Sequence, residues 1–109
     1  MQQKIYKGNR AGEVLVETST GDSYLLPLFL EQCDHSPTGF AWGYGGSGPA
    51  QLAFAILYDY FSDKDIAFRN YQQFKWEVIS KLKQDEEFTL TDQEILGFFF
   101  ERKETCNVI

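Results

Sequence analysis

Phe40-Ala41-Trp42-Gly43-Tyr44-Gly45-Gly46-Ser47-Gly48-Pro49-Ala50-Gln51-Leu52-Ala53 is the stretch that decides between two fold classes. Gly43, Gly45 and Gly48 satisfy the spacing G-x-G-x-x-G, and the apolar run after Pro49 reads as a helix. In a dinucleotide-binding fold that motif follows a strand directly and sits inside a parallel β-α-β unit. Here three residues separate Gly43 from Gly39, too few for a strand, and no second parallel strand follows the helix. No Lys precedes a Ser or Thr in the stretch, so it is not a Walker-type phosphate loop either. The doubly wound fold is excluded, and the elements on either side point to an α+β fold.

Upstream, Lys4-Ile5-Tyr6-Lys7 ends at Gly8, and Glu13-Val14-Leu15-Val16-Glu17-Thr18 is flanked by Gly12 and Gly21-Asp22. Tyr24-Leu25-Leu26 begins a third strand that Pro27 limits, because proline cannot donate to a central ladder. Thr20-Gly21-Asp22-Ser23 is the turn of a hairpin between the last two. Residues 28–32 read as a short helical turn, and residues 33–48 have loop chemistry. Downstream, Pro49 suits the first position of a helix running to about Phe61. A second helix, over about 64–83, is introduced by Ser62-x-x-Asp65 and carries Ala67, Tyr71, Phe74, Val78 and Leu82 at helical spacing. Thr91-Asp92-Gln93-Glu94 is a capping box with Leu90 and Ile95 as the hydrophobic staple, so a third helix starts near Asp92. The reading is one domain over residues 1–109. A small antiparallel sheet of about three strands (1–32) leads through the glycine-rich loop (33–48) to three helices covering one face (49–103), and a frayed tail follows (104–109).

A chain of 109 residues can bury a core without disulfides or metal. Aromatics reach 17%, enough to build an aromatic core or a platform for a flat ligand. The net charge of −6 argues against general nucleic-acid binding, which needs clustered Lys and Arg. The acidic run Asp85-Glu86-Glu87 reads as a solvated loop. No apolar run reaches the ~20 residues of a membrane span, and Met1-Gln2-Gln3-Lys4 is not an export signal. A cytoplasmic location is therefore expected, with Cys33 and Cys106 as free thiols. Cys106-Asn107-Val108-Ile109 matches a prenylation box formally, but no polybasic stretch precedes it. One histidine and no C-x-x-C leave no familiar zinc set, and no cofactor is expected.

The loop carries the functional reading. Glycines let a backbone approach a ligand, and a helix N-terminus offers unpaired N–H groups with partial positive charge. Together they suit a small anionic or nucleotide-like ligand. The candidate ligand-binding residues are His35, Ser36, Thr38, Trp42, Gly43, Tyr44, Gly45, Gly46, Ser47, Gly48 and Gln51. Trp42 and Tyr44 could stack a base, Ser47 adds a hydroxyl, and Gln51 sits one turn into the helix. A purely structural reading stands beside it: the glycines permit a tight crossing, Trp42 and Tyr44 plug the core, and Ser47 is a plain N-cap. If Gly45 and Gly48 adopt positive φ, valine there is costly, and Gly12 should be more tolerant. Arg69, Lys75 and Glu77 read as solvated, although a cation facing the loop would complete an anion pocket.

Residues 35–53, read as His-Ser-Pro-Thr-Gly-Phe-Ala-Trp-Gly-Tyr-Gly-Gly-Ser-Gly-Pro-Ala-Gln-Leu-Ala, resemble the signature of a family of small uncharacterised prokaryotic and phage proteins, a domain of unknown function. That family usually has Glu where this chain has Ala41. The resemblance continues through Tyr71-x-x-Phe74-Lys75-Trp76-Glu77 and Thr89-Leu90-Thr91. It implies no activity, and the alanine leaves no acid at position 41. Phage occurrence implies, by analogy, capture of a nucleotide signal or blockade of a host defence protein.

The expected function is thus a non-enzymatic module that sequesters a phosphate-bearing, nucleotide-type ligand at the loop. One alternative is a protein-binding inhibitor or adaptor acting on a host protein through an acidic, aromatic surface. Another is a hydrolase using His35 and Ser47. Phe98-Phe99-Phe100 spans about 200° of helical arc, more than one packed face hides, so a homodimer through the third helix is expected.

Overall fold

Alternation of period two builds the sheet of the computed structural model, which describes residues 3–108 and their side chains through residue 100. The strands are β1 (Lys4–Gly8), β2 (Val14–Thr18), β3 (Ser23–Leu25) and β4 (Phe88–Thr91). They run antiparallel in the order β3-β2-β1-β4. Tyr24, Val16, Tyr6 and Leu90 stand in one row across all four strands, and Val14, Gly8 and Phe88 form the next row. These rows face inward: Tyr6, Val14, Val16, Phe88 and Leu90 are all buried. The opposite face carries the Lys7–Glu17 ion pair and the exposed Leu25.

The sheet therefore has four strands where about three were expected. Phe88 and Leu90 point inward while Thr89 stays exposed, an alternation that the capping signal at Thr91 overlaps. β4 pairs with β1 across most of the chain length, which a local reading cannot see.

Three helices follow: α1 (Ser47–Phe61), α2 (Lys64–Glu77) and α3 (Asp92–Val108). α1 is buried from Gly48 through Leu57, as a central helix must be when its residues are nearly all apolar. It ends at Ser62, which takes a left-handed conformation and donates its N–H to the Tyr58 carbonyl. Asp63, not Ser62, then caps α2 by accepting from the Ile66 N–H. α2 stops at Glu77, short of the expected 83. Val78 leaves helical geometry and a 3-10 turn follows at Ile79–Lys81, whose Ile79 carbonyl accepts from both the Leu82 and the Gly43 N–H groups.

In residues 28–32 the Phe29 carbonyl accepts from the Gln32 and Cys33 N–H groups, which closes the single turn expected there, with Phe29 itself left-handed at its start. α3 continues through Val108 where a tail was expected from 104. The side chain of Cys106 and the whole of Ile109 lie outside the described residues. No helix among the described residues is long and apolar enough to cross a membrane.

A polar network ties the sheet to the last turn of α1. Asp59 is the single charged residue of α1, and its carboxylate accepts from Tyr6 at 2.7 Å and from Tyr24 at 2.7 Å. Lys4 Nζ reaches the same carboxylate at 3.1 Å and the Tyr24 hydroxyl at 3.0 Å. Burial, with the Asp59 carboxylate beside it, pushes the Tyr6 phenol far above its usual range, so it stays a donor. The signal was legible in principle: a lone carboxylate inside an apolar helix needs partners.

Candidate functional site

The glycine-rich loop is fastened before it reaches α1. Trp42 is 4% exposed; its ring meets Phe88 edge-on at 4.8 Å, and its indole N–H donates to the Glu86 carbonyl at 2.8 Å. The next residue, Gly43, has φ +89 and lies so close to Gln84 that a Cβ would stand 2.5 Å from that residue's backbone nitrogen. Its own N–H bonds the Ile79 carbonyl at 3.1 Å. These contacts pin the loop to the segment between α2 and β4.

Gly45 and Gly48 do not have positive φ, contrary to expectation; Gly12, the expected tolerant position, does. Gly45 is required by contact, since its missing Cβ is where the Trp76 ring lies. Gly46 lies under the Tyr44 ring, and Gly48 is buried against Ala41. The chain thus passes through a narrow channel of side chains, and removing Cβ atoms is what lets it through.

α1 begins two residues earlier than expected, at Ser47. Gly46 is the N-cap, so the end of the helix has no side-chain cap and no acidic residue in its first turn. Ser47 is not the N-cap but the first helical residue. The Ala50 N–H bonds the Gly46 carbonyl at 3.1 Å, and Pro49 has no N–H to leave unpaired. The Ser47 and Gly48 amides are the first-turn donors without an intrahelical acceptor.

These amides stand at a polar cleft of about 320 Å³. Ser36, Thr38, Gly39, Phe40, Ala41, Tyr44, Ser47 and Gly48 line it. Four of those side chains carry hydroxyls and none is charged. Ser36 Oγ donates to the Gly39 carbonyl at 2.8 Å, which holds one wall. Tyr44 is exposed, with its ring over Gly46 and its hydroxyl toward Gly48. A wall of hydroxyls at the positive end of a helix can hold an anion by hydrogen bonds without a formal charge.

Five of the candidate residues therefore share one cleft: Ser36, Thr38, Tyr44, Ser47 and Gly48. Gly46 underlies it as the N-cap. Trp42, Gly43 and Gly45 support the loop from behind and do not line it. Gln51 is fully buried and uses all its capacity: its carbonyl accepts from the His35 and Ser36 N–H groups, and its amide donates to the Leu28 and Cys33 carbonyls. It organises residues 28–36 and has no hydrogen bond left for a ligand.

His35 lies beside the cleft and not in its lining. Its Nε2 is 2.7 Å from the Tyr71 hydroxyl, and no hydrogen bond joins it to Ser47 among the described residues. Cys33 is buried beneath, and that burial pushes its thiol up from the ordinary value, away from the reactive thiolate. Asp85, Glu86 and Glu87 are all exposed, as a solvated loop requires. Among the described residues no cluster of three or more His, Cys, Asp or Glu could hold a metal ion.

Sequence reasoning missed Phe40 and Ala41 as lining residues, since neither side chain advertises ligand chemistry. It also placed Lys75 in solvent, whereas Lys75 is buried. The signal was available: Lys75 follows Phe74 and lies one turn after Tyr71, on the stripe that packs against α1.

No curated protein and no solved structure matches this chain. A family model does match, over residues 6–100, and it spans the sheet, the glycine-rich loop and α1 and α2. The chain therefore belongs to the family of unknown function DUF6166.

Proposed function

We propose that this protein is a binding module that captures a small phosphate-bearing ligand in the cleft at the start of α1. The observation that carries the reading is the uncapped helix end opening on a hydroxyl-lined cleft with no acidic side chain, in a chain of net charge −6. Anions accumulate where N–H groups and a helix dipole converge. The cleft volume lies at the small end of ligand sites, about 300–1,000 Å³, which fits a mononucleotide better than a dinucleotide. Tyr44 and Phe40 are the flat groups left to meet a base, because Trp42 is committed to the core. With His35 bonded to Tyr71, no base stands ready beside Ser47, so the action proposed is sequestration and not turnover. In a phage or bacterial cytosol, sequestration of a nucleotide signal is the corresponding biological role.

Calorimetry against inorganic phosphate, mononucleotides and cyclic nucleotides tests this. Binding that weakens in Ser47→Ala and Tyr44→Ala supports it. Absence of heat across the whole panel, with protein whose circular dichroism shows it folded, overturns it.

A second reading concerns protein surfaces. Trp76 and Phe100 are large apolar side chains left mostly in solvent, at 56% and 62% exposure. They support association with another polypeptide, either a host protein or a second copy of this chain. A pull-down with Trp76→Ala and Phe100→Glu variants separates the two faces.

A further inference from the structure

Positive charge and exposed aromatic rings are gathered on one helix of an acidic chain. Residues 64–84 hold five basic residues against two acidic ones, a net +3, although the whole chain carries −6. α2 forms most of that segment. Phe68, Gln72 and Trp76 recur every four residues along it, so they stand within about 80° of one another and form one ridge about 12 Å long. Phe68 is 42% exposed and Trp76 56%. Each ring has a cation beside it: Lys64 Nζ is 5.6 Å from the Phe68 centroid, and Lys75 Nζ is 4.4 Å from the Trp76 centroid. Arg69 is exposed on the far flank of the ridge. Among the described residues, none of these three cations enters an ion pair. Of the two carboxylates, Asp65 lies in the first turn of α2, and Glu77 stands on the other side of the helix, where Gln73 bonds it.

The ridge is held from behind. Phe68 leans on Phe54 of α1, with ring centroids 5.0 Å apart, and Trp76 lies against the bare backbone of Gly45. Side chains already fixed lose little rotamer freedom on binding, and Trp and Arg are the residues that most often anchor an interface. A row at i, i+4 and i+8 is the ridge that interlocks with a second helix. Three occupants compete for it, and charge separates them. A second copy across a two-fold axis would bring the same cations face to face, which is repulsive. A long nucleic-acid strand would run off the ridge into the acidic remainder of the chain, which repels phosphates. A short helix with carboxylates at its flanks and apolar side chains along its middle meets the rings and the cations together, and it ends where the positive surface ends.

We propose that the Phe68–Trp76 ridge of α2 docks an acidic amphipathic helix of a partner protein, whose carboxylates pair with Lys64 and Arg69 while its apolar side chains cover the two rings. This rests on the protein-surface reading above, narrows it to one face and one chemistry of partner, and does not depend on the α1 cleft. The aromatic surface of α2 is thus a basic one, although the chain as a whole is acidic.

The test uses the full chain and two fluorescently labelled helical peptides of equal length. They share leucines at i, i+4 and i+7 spacing and carry either glutamate or lysine at the remaining positions; a short oligothymidine strand is the third probe. The glutamate peptide is expected to bind at least about tenfold tighter than the lysine peptide. It should also shift tryptophan emission to the blue, because Trp76 is exposed and Trp42 is buried. Lys64→Glu combined with Arg69→Glu, both at exposed positions, should weaken the glutamate peptide about tenfold and leave the circular dichroism spectrum unchanged. If that double variant binds as the parent does, or if oligothymidine binds more tightly than the glutamate peptide, the proposal is overturned. If Trp76→Ala alters the pull-down but the two peptides bind alike or not at all, the face stands and the acidic partner is wrong. If Trp76→Ala also leaves the pull-down unchanged, the protein-surface reading of this face falls and takes the inference with it.

Discussion

Gln51 fastens residues 28–36 to α1 through four hydrogen bonds, and that makes it a sensitive polar residue of the loop region. Replacing it with leucine keeps the volume and strips partners from two N–H groups and two carbonyls. Each buried group left unsatisfied costs about 1–3 kcal/mol, so Gln51→Leu should lose at least about 3 kcal/mol in urea unfolding. A loss below about 1 kcal/mol would mean that water serves residues 28–36 instead. Gly43 permits a second comparison. Gly21 and Gly43 both have positive φ, but only Gly43 has backbone packed where a Cβ would go. The strain of φ is common to both, about 1–3 kcal/mol. Gly43→Ala should therefore destabilise clearly more than Gly21→Ala, and equal melting temperatures would show that the Gln84 segment yields freely. At this scale sequence chemistry pointed to the right stretch but not to each role. That glycines were needed near a helix start could be read; which of them answer to φ and which to a neighbouring ring could not, because Trp76 and Gln84 arrive from distant elements. Gln51 looked like a ligand residue for the same reason, since its four partners come from a turn that no local pattern reveals.

At the scale of elements, the strongest local signals corresponded to real boundaries. Thr91 and Glu94 form the reciprocal cap: the Glu94 N–H donates to Thr91 Oγ1 at 3.3 Å and the Thr91 N–H donates to Glu94 Oε1 at 3.2 Å. Leu90 and Ile95, the staple pair, are both fully buried. Thr91→Ala should cost about 0.5–2 kcal/mol through loss of the cap and leave ligand binding unchanged. A variant as stable as the parent would show that the pairing of β4 with β1 holds this corner without the cap. Errors arose where tertiary contact overrode a pattern. The apolar spacing of α2 continues to Leu82, yet the backbone leaves helical geometry at Val78, and the Gly43 N–H bonds the Ile79 carbonyl just beyond. The Phe88–Thr91 strand was hidden because its partner is β1, at the other end of the chain. Ser62 and Asp63 are both good caps, and the left-handed turn at Ser62 gives the role to Asp63. Sequence spacing locates such a boundary to within a residue or two, and only backbone conformation decides the rest.

For the whole molecule the open surface is the outer side of α3. Its three consecutive rings separate as arc geometry demands: Phe98 is buried against Phe74, Phe99 is half-buried against Phe61, and Phe100 is exposed. Leu96, one turn before Phe100, is also exposed, so the two form an apolar strip along the helix. Beside it runs a groove of about 490 Å³ in which Gly97 presents bare backbone, with Val78, Leu82 and Leu90 among its walls. A Cβ at Gly97 would touch nothing within 4 Å, so the groove has room for an incoming side chain. A second copy brings a complementary Leu96–Phe100 strip, and a two-fold axis across α3 would let each strip meet the other chain's groove. The expected state is a homodimer at micromolar concentration, measured by light scattering. Phe100→Glu should return it to a monomer with an unchanged circular dichroism spectrum, because that ring contributes little to its own core. A parent protein that scatters as a monomer across that range would end the dimer and leave the strip for a different partner. A dimer that survives Phe100→Glu would place the interface on another surface, with the exposed outer face of the sheet around Leu25 the next to vary.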